Sequence, residues 1–305
     1  MFVQAGGHQL IKTDTDNTYN ANTVYKPTKK KELKFYKKHL NTYPELKPFL
    51  PTYYKGGRIE QLKHMVSTEE FDTIINKRYS RYVQVENVSF SKLKFIIDIK
   101  LGSIHWKSSA SKNNVKECLC RNIDSIMSKY LFRLDGFVEN VPINNNNNDS
   151  CGDCGDSDNN DNIEYKEIRY SKEECRLMSI DDIKQILGRL TLEDITYVCE
   201  FIDKLRIVLD KAPFNLYGPS ILIVKSFDGQ LNIKLIDFTT YERLDKSNNS
   251  SKQSKLSKNV DKVDEKVDKK LHKTMRKALI KTELLNNMHY NILLSLDSLR
   301  STIIV

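Results

Sequence analysis

Two apolar runs, each closed by charged residues, constrain this chain more than any other feature. One runs from Lys94 to Lys100 through Phe95, Ile96, Ile97 and Ile99 and leads into Asp98-Ile-Lys-Leu-Gly102; the other runs from Leu231 to Phe238 and ends in Ile236-Asp237-Phe238. Both read as strands. An acid at the end of a buried strand can hold a magnesium ion against nucleotide phosphates, and a lysine two residues from another acid can neutralise a group in transfer. Asp98 and Lys100, two apart on a strand, share a face, which suits a ligand better than a buried ion pair between them. The plainer alternative for Asp237 is an aspartate capping a turn.

A chain of 305 residues suits one large domain or two lobes, and two lobes is the reading taken here. The boundary falls between a nucleotide-binding lobe, 1–87, and a larger lobe, 88–305, with polar insertions at 142–162 and 245–270. No apolar stretch reaches the roughly 18 residues needed to cross a bilayer, and the start lacks a signal-peptide pattern, so a soluble cytoplasmic or nuclear protein without a transmembrane segment is expected. Net charge is +9. Residues Asn144 to Asn162 hold five acids and no base, and without those five negative charges the rest stands at +14. Such an excess attracts polyanions without choosing among nucleic acid, acidic lipid and phosphorylated small molecules. Six cysteines are scattered, and Cys151-Gly-Asp-Cys154 has the spacing of only half a zinc site, so reduced thiols are expected.

Alternation over His8 to Lys12, turn formers over Asp14 to Asn22 and a strand at Thr23 to Lys26 predict an opening hairpin. Leu33, Tyr36 and Leu40 predict a helix from Lys30 to about Leu40, and Pro44, Pro48 and Pro51 predict a loop after it. Tyr79 to Val88 reads as a strand leading into a connector. Ser111 to Tyr130 has helical spacing with one cationic and one apolar face. Helices follow at Ile180 to Leu190 and Leu192 to Leu209, then a hairpin from Ser220 to Phe238 turning at Asp228-Gly229, and a last helix from Met288 to Ile304.

These residues resemble the inositol polyphosphate kinase family, and within it the inositol hexakisphosphate kinases. The resemblance is carried by Phe2-Val-Gln-Ala-Gly6-Gly7-His8, Thr23-Val-Tyr-Lys26-Pro27, Glu32, Tyr54-Lys-Gly56, Glu86-Asn-Val88, Asp98-Ile-Lys-Leu-Gly102, Arg133-Leu-Asp-Gly136, Tyr217-Gly-Pro-Ser220-Ile-Leu222 and Ile236-Asp-Phe238. It implies an α+β, two-lobed kinase-like fold with a small antiparallel-sheet lobe and a larger mixed lobe. It also implies ATP and Mg2+ as cofactors and an inositol phosphate as substrate.

By this resemblance Lys26 reaches the ATP phosphates with Glu32 orienting it, and the backbone of Glu86 and Val88 takes the adenine edge. Asp98 serves ribose hydroxyls or the acceptor. Lys100 faces the acceptor phosphates, Asp237 holds magnesium, and Ser220 assists. Lys100 and Asp237 are the expected catalytic residues; Lys112, Lys116 and Arg121 join Lys100 in holding the acceptor, since a hexaphosphate needs many donors at once.

The chain departs from the family at Lys94, where a proline is usual, at Pro219-Ser220 in place of paired serines, and at Thr239-Thr240 after the metal tripeptide. The expected reaction is transfer from ATP to a phosphate of inositol hexakisphosphate, forming a pyrophosphate. Multikinase or trisphosphate 3-kinase action on ring hydroxyls is the nearest alternative. A basic scaffold or nucleic-acid-binding protein with a decayed kinase fold is the alternative from another class. No nucleic-acid recognition motif is present, so no nucleic-acid partner is expected, and the protein is expected to be a monomer.

Overall fold

The computed structural model describes residues 23–89, 92–103, 111, 113, 125–143, 164–244 and 288–304. Thr23–Thr28 (β1), Tyr53–Arg58 (β2) and Arg81–Glu86 (β3) form an antiparallel sheet in the order β1-β3-β2. Between β1 and β2 the chain runs through Lys30–Lys34 (α1), a π-helical turn Phe35–His39, Leu40–Thr42 (α2) and a 3-10 helix, Pro44–Phe49. The predicted proline loop is thus partly helical. Pro44 occupies a first-turn position, where its missing N–H has no helical acceptor to lose. Thr68–Asn76 (α3) follows β2, opened by Ser67, whose hydroxyl accepts from the Glu70 N–H while Glu70 accepts from the Ser67 N–H.

The larger lobe begins at Leu93–Leu101 (β4) and continues through Ile126–Tyr130 (α4), Phe132–Pro142 (β5), Tyr165–Tyr170 (β6), Lys172–Leu177 (α5), Ile180–Leu187 (α6) and Leu192–Asp210 (α7). Then come Phe214–Leu216 (β7), Ser220–Ser226 (β8), Leu231–Ile236 (β9), Tyr241–Arg243 (β10) and Met288–Ile304 (α8). Five strands make an antiparallel sheet, β6-β5-β4-β8-β9, and β7 pairs with β10. The fold is α+β, with antiparallel sheets in separate lobes.

Strand β4 sits in the middle of the large sheet, which explains its apolar composition. Phe95, Ile97, Ile99 and Leu101 project into the main core with Phe132, Leu134, Ile221 and the helices α6 to α8. The opposite face starts apolar, with Ile96 against Val138 and Val224. Further along the same face the period of two brings Asp98 and Lys100, opposite Leu222 and Ser220 of β8. One face of one strand therefore turns from core to cleft within four residues.

The end of β4 is fixed by α8. Gly102 has φ +78°, and a Cβ there would come within 2.8 Å of Ile292 Cδ1. Its N–H donates to the Leu131 carbonyl at 2.7 Å, and Asn291 Oδ1 accepts from the Ser103 N–H at 3.0 Å. The glycine in Asp98-Ile-Lys-Leu-Gly102 thus has a conformational and a steric reason. Helix α8 also ties to α7 through Arg206–Asp297 and Arg300–Asp203, each at 2.7 Å.

Several expectations fall on residues outside those described. These are the opening strand 2–12, most of the Ser111–Tyr130 helix with Lys112, Lys116 and Arg121, most of the insertion 142–162 with Cys151 and Cys154, and the segment 245–270. Among the described residues no helix is long and apolar enough to cross a membrane.

Candidate active site

Lys26, on β1, places its ammonium between carboxylates from two distant parts of the chain. Its Nζ lies 2.9 Å from Glu32 Oε1 and 2.6 Å from Asp237 Oδ1. Glu32 is fully buried at the third position of α1, and its other oxygen accepts from the Thr28 hydroxyl. Strand β1 runs on through Pro27 to Thr28, although the proline reads in sequence as a break, and the helix start at Lys30 then brings glutamate to lysine. Burial opposes the Lys26 charge, but Asp237 and then Glu32 outweigh it and hold the ammonium above its ordinary range.

Asp237 follows the last residue of β9 and has φ +70°. For an aspartate this left-handed conformation is allowed but costly, and it persists because the neighbours hold it. Phe238 is fully buried and stacks on Phe35 at 4.5 Å with planes 6° apart, and Tyr36 meets it edge-on at 5.8 Å. Phe35 opens the π-helical turn after α1. Such a turn packs an extra residue and recurs at functional sites. The aromatic stack therefore locks the Asp237 loop to the helix that carries Glu32.

Lys100 Nζ stands 3.8 Å from Asp237 Oδ2. The partner of Lys100 is thus Asp237, and the alternative of an Asp98–Lys100 ion pair is not what the chain forms. Asp98 is buried, and neither its Oδ1 nor Ser220 Oγ, diagonally across the β4–β8 ladder, has a well-formed hydrogen-bond partner, although the Ser220 hydroxyl is near enough to pull slightly on the Asp98 carboxyl. Orphaned buried polar atoms are uncommon and suit a place where a ligand supplies the missing partner. Burial, then the carboxylates of Asp135 and Asp237, push the Asp98 carboxyl up to about 7, against the smaller pull of Lys100.

Asp135 was legible only as part of a strand, Arg133-Leu-Asp-Gly136, and not as a member of the site. Opposite β4 the register passes from Gly136 to Leu134 between Asp98 and Ile99, which makes Asp135 the extra residue of a β-bulge. It is held by Lys172 at 2.5 Å and Arg133 at 3.1 Å. Burial works against its charge, yet those two cations keep its carboxyl below the usual range. A charged Asp135 beside a proton-holding Asp98 is the outcome.

At the lobe junction Glu86 ends β3. Its carboxylate accepts from the N–H and hydroxyl of Thr52, both at 3.0 Å, and lies 3.4 Å from Lys234 Nζ. The Glu86 N–H already donates to the Thr52 carbonyl at 2.8 Å, and the Val88 carbonyl accepts from Asn232 at 3.3 Å. Val88 and Leu222 both pack against the cluster of Leu93, Ile96, Val138 and Val224, and Leu222 is partly exposed on the sheet face that carries Asp98. Lys234 and Leu222 were missed as site residues by sequence reasoning, although alternation along β8 and β9 would place both on that face.

Lys26, Glu32, Lys100 and Asp237 therefore meet in one place, with Asp98 and Ser220 adjacent and Glu86 and Val88 at the junction. Lys112, Lys116 and Arg121 lie outside the described residues. The inositol polyphosphate kinase model matches residues 82–266. The chain belongs to the inositol polyphosphate kinase family.

Among solved structures this family member is similar to the inositol phosphate multikinase Ipk2 of S. cerevisiae in complex with ADP and Mn2+. The identity is 15%, the TM-score 0.55, and the match covers 93% of this chain and 98% of that one. A second inositol phosphate multikinase structure matches at 15% identity and TM-score 0.50, over 90% of this chain and 97% of that one. These likenesses show the fold. No curated protein sequence matches the chain.

Proposed function

We propose that this family member is an ATP-dependent kinase that phosphorylates inositol hexakisphosphate, with residues 1–87 as nucleotide lobe and 88–305 as catalytic lobe. The observation that carries the proposal is the meeting of Lys26, Asp237 and Lys100 beside the uncapped polar atoms of Asp98 and Ser220. Two cations and a strand-end carboxylate suit phosphoryl transfer, where positioning and charge neutralisation matter more than covalent chemistry.

The donor set also fits a divalent ion. Asp237 supplies hard oxygens, and magnesium is commonly bound by one or two carboxylates with substrate phosphates and water. No cluster of three metal-ligating side chains occurs among the described residues, which agrees with a site completed by the nucleotide. Mn2+ and ADP accompany the multikinase Ipk2 in its solved structure. When bound, the ion would neutralise charge on the nucleotide phosphates. Lys26 would then reach those phosphates with Glu32 orienting it, and Lys100 would neutralise the group in transfer. The backbone carbonyl of Glu86 and N–H of Val88 would take the adenine edge, over Leu222.

Sequence supports the hexakisphosphate acceptor through Gly6-Gly7 and Glu86-Asn-Val88. A phosphate acceptor is already ionised and needs no strong base. A second reading, multikinase action on ring hydroxyls, is favoured by a different observation: Asp98, raised to about 7, has the basicity to take a hydroxyl proton near neutrality.

Purified protein with ATP and Mg2+ or Mn2+, offered hexakisphosphate and trisphosphate separately, decides between them. Product from hexakisphosphate is expected, and turnover of trisphosphate alone rejects the first reading in favour of the second. Asp237→Asn keeps a side chain that tolerates the left-handed conformation. It is expected to fold normally while activity drops by about a hundredfold or more. Wild-type rates in that variant would remove Asp237 from the metal and catalytic roles.

A further inference from the structure

Away from that site, α1, the π-helical turn after it and β10 flank a half-open cavity of about 490 Å³ lined by the cations Lys31, Lys34, Lys38 and Arg243, by His39 and Tyr241, and by Thr42 and Glu242. The size is that of a small-molecule pocket. Its chemistry is one-sided. Lys34 and Lys38 come from one helical face, about one turn apart, and Arg243 comes from the strand across the cavity. None of the three makes an ion pair among the described residues; Glu242, the one acid on the lining, accepts from the Tyr217 hydroxyl at 2.6 Å and keeps its negative charge.

The floor of the cavity is built. Lys31 Nζ donates to the Tyr241 carbonyl at 2.6 Å, and the His39 ring meets the Tyr241 ring edge-on at 4.9 Å. His39 reports the local field, because burial first, and then Lys34, Arg243 and Lys38, lower its pKa. Four cations, counting Lys31, face the single acid Glu242, so the cavity keeps an excess of positive charge that repels itself, and an anion between the cations relieves that repulsion.

We propose that this cavity is a second anion site, separate from the nucleotide cleft, which takes a small polyphosphate and clamps α1 to β10. A small free anion fits better than an acidic chain segment, since the cations converge from two sides on one half-open cavity and do not form a track along the surface. Lys and Arg together are the side chains suited to several phosphate oxygens at once. The consequence for catalysis rests on the proposed function: α1 carries Glu32, and β10 follows Asp237 by four residues, so the clamp would steady both partners of Lys26.

The test uses inorganic tripolyphosphate as the probe, without divalent metal, and follows the His39 imidazole resonances, assigned through His39→Gln. Three variants of the full chain are compared with wild type. Lys34→Gln/Lys38→Gln/Arg243→Gln alters the cavity, Lys100→Gln/Asp237→Asn alters the catalytic cleft, and Lys166→Gln/Arg176→Gln/Lys211→Gln removes the same charge from remote exposed positions. All three cavity substitutions are at exposed side chains, so folding is expected to survive.

In wild type and in the cleft variant the His39 signal should shift with a saturable isotherm. The cavity variant should lose affinity by about tenfold or more, and the remote variant by less than about twofold. Equal losses in the cavity and remote variants would mean a diffuse field and no site, and an unmoved His39 signal in wild type would overturn the proposal outright. Because this readout needs no turnover, it stands or falls separately from the kinase assignment.

Discussion

Asp98 is the residue at which stability and function are most directly opposed. Burial and two neighbouring carboxylates raise its pKa from an ordinary 3.8 to about 7. A raised carboxyl binds a proton in the folded state that the unfolded chain has released, so its effect on stability declines as pH rises from about 4 to 7 and is constant above. Asp98→Asn should therefore stabilise the ligand-free protein by roughly 1–3 kcal/mol at pH 8, less than the roughly 4 kcal/mol ceiling set by the full shift, and by much less at pH 5. Urea unfolding of both proteins at the two pH values, with a chelator present, measures it; an equal gain at both would show that the carboxyl titrates normally. The facing of Asp98 with Lys100 was legible in the sequence, since a strand repeats every two residues. Lys26 with Glu32 was legible from the order of strand and helix, although the strand runs on past Pro27. The 2.6 Å approach of Lys26 to Asp237 joins residues 211 positions apart, and no local pattern encodes such a contact. Neither does the bulge that turns Asp135 toward Asp98, because a bulge is a property of two strands in register.

At the scale of elements, the end of β4 depends on how closely α8 approaches it. Gly102 and Gly229 both have positive φ, +78° and +89°, but only at Gly102 would a Cβ meet a neighbour, Ile292 Cδ1 at 2.8 Å. Gly229→Ala should cost about 1 kcal/mol, the backbone penalty alone, whereas Gly102→Ala should cost roughly 2–4 kcal/mol because overpacking is added. Ile292→Val removes the colliding methyl. Gly102→Ala/Ile292→Val should accordingly be less destabilised than the sum of the two single changes, by about 1 kcal/mol in a denaturation cycle. Strict additivity would mean that helix and strand do not press on each other. The strands β4, β8 and β9 and the helices α6 to α8 were legible because their periods run over many residues. Less so were β7 and β10, which are three residues each, and the Pro44–Phe49 helix, where proline signals a break yet is accepted in a first turn. The π-helical turn was read only as a continuation of α1, since its extra residue is fixed by the stack of Phe35 on Phe238.

The whole molecule is organised around contacts that tie the small sheet's helix to the strand-end of the large sheet. Lys26 binds a carboxylate on each side, and Phe35 stacks across the same divide, so a nucleotide entering there would meet a site already assembled. Net charge of +9 adds a field that draws polyanions from solution and weakens with salt. An acceptor with six phosphates feels that field more strongly than ATP does, because attraction grows with ligand charge. Raising ionic strength from about 50 to 200 mM shortens the screening length from roughly 14 to 7 Å. Under the proposed function, KM for hexakisphosphate should rise by several-fold over that range, while KM for metal-bound ATP, whose charge the divalent ion about halves, rises by less than about twofold. Steady-state kinetics at fixed pH and saturating co-substrate separate the two. Parallel changes would indicate that the basic surface acts on both substrates alike and does not select the acceptor.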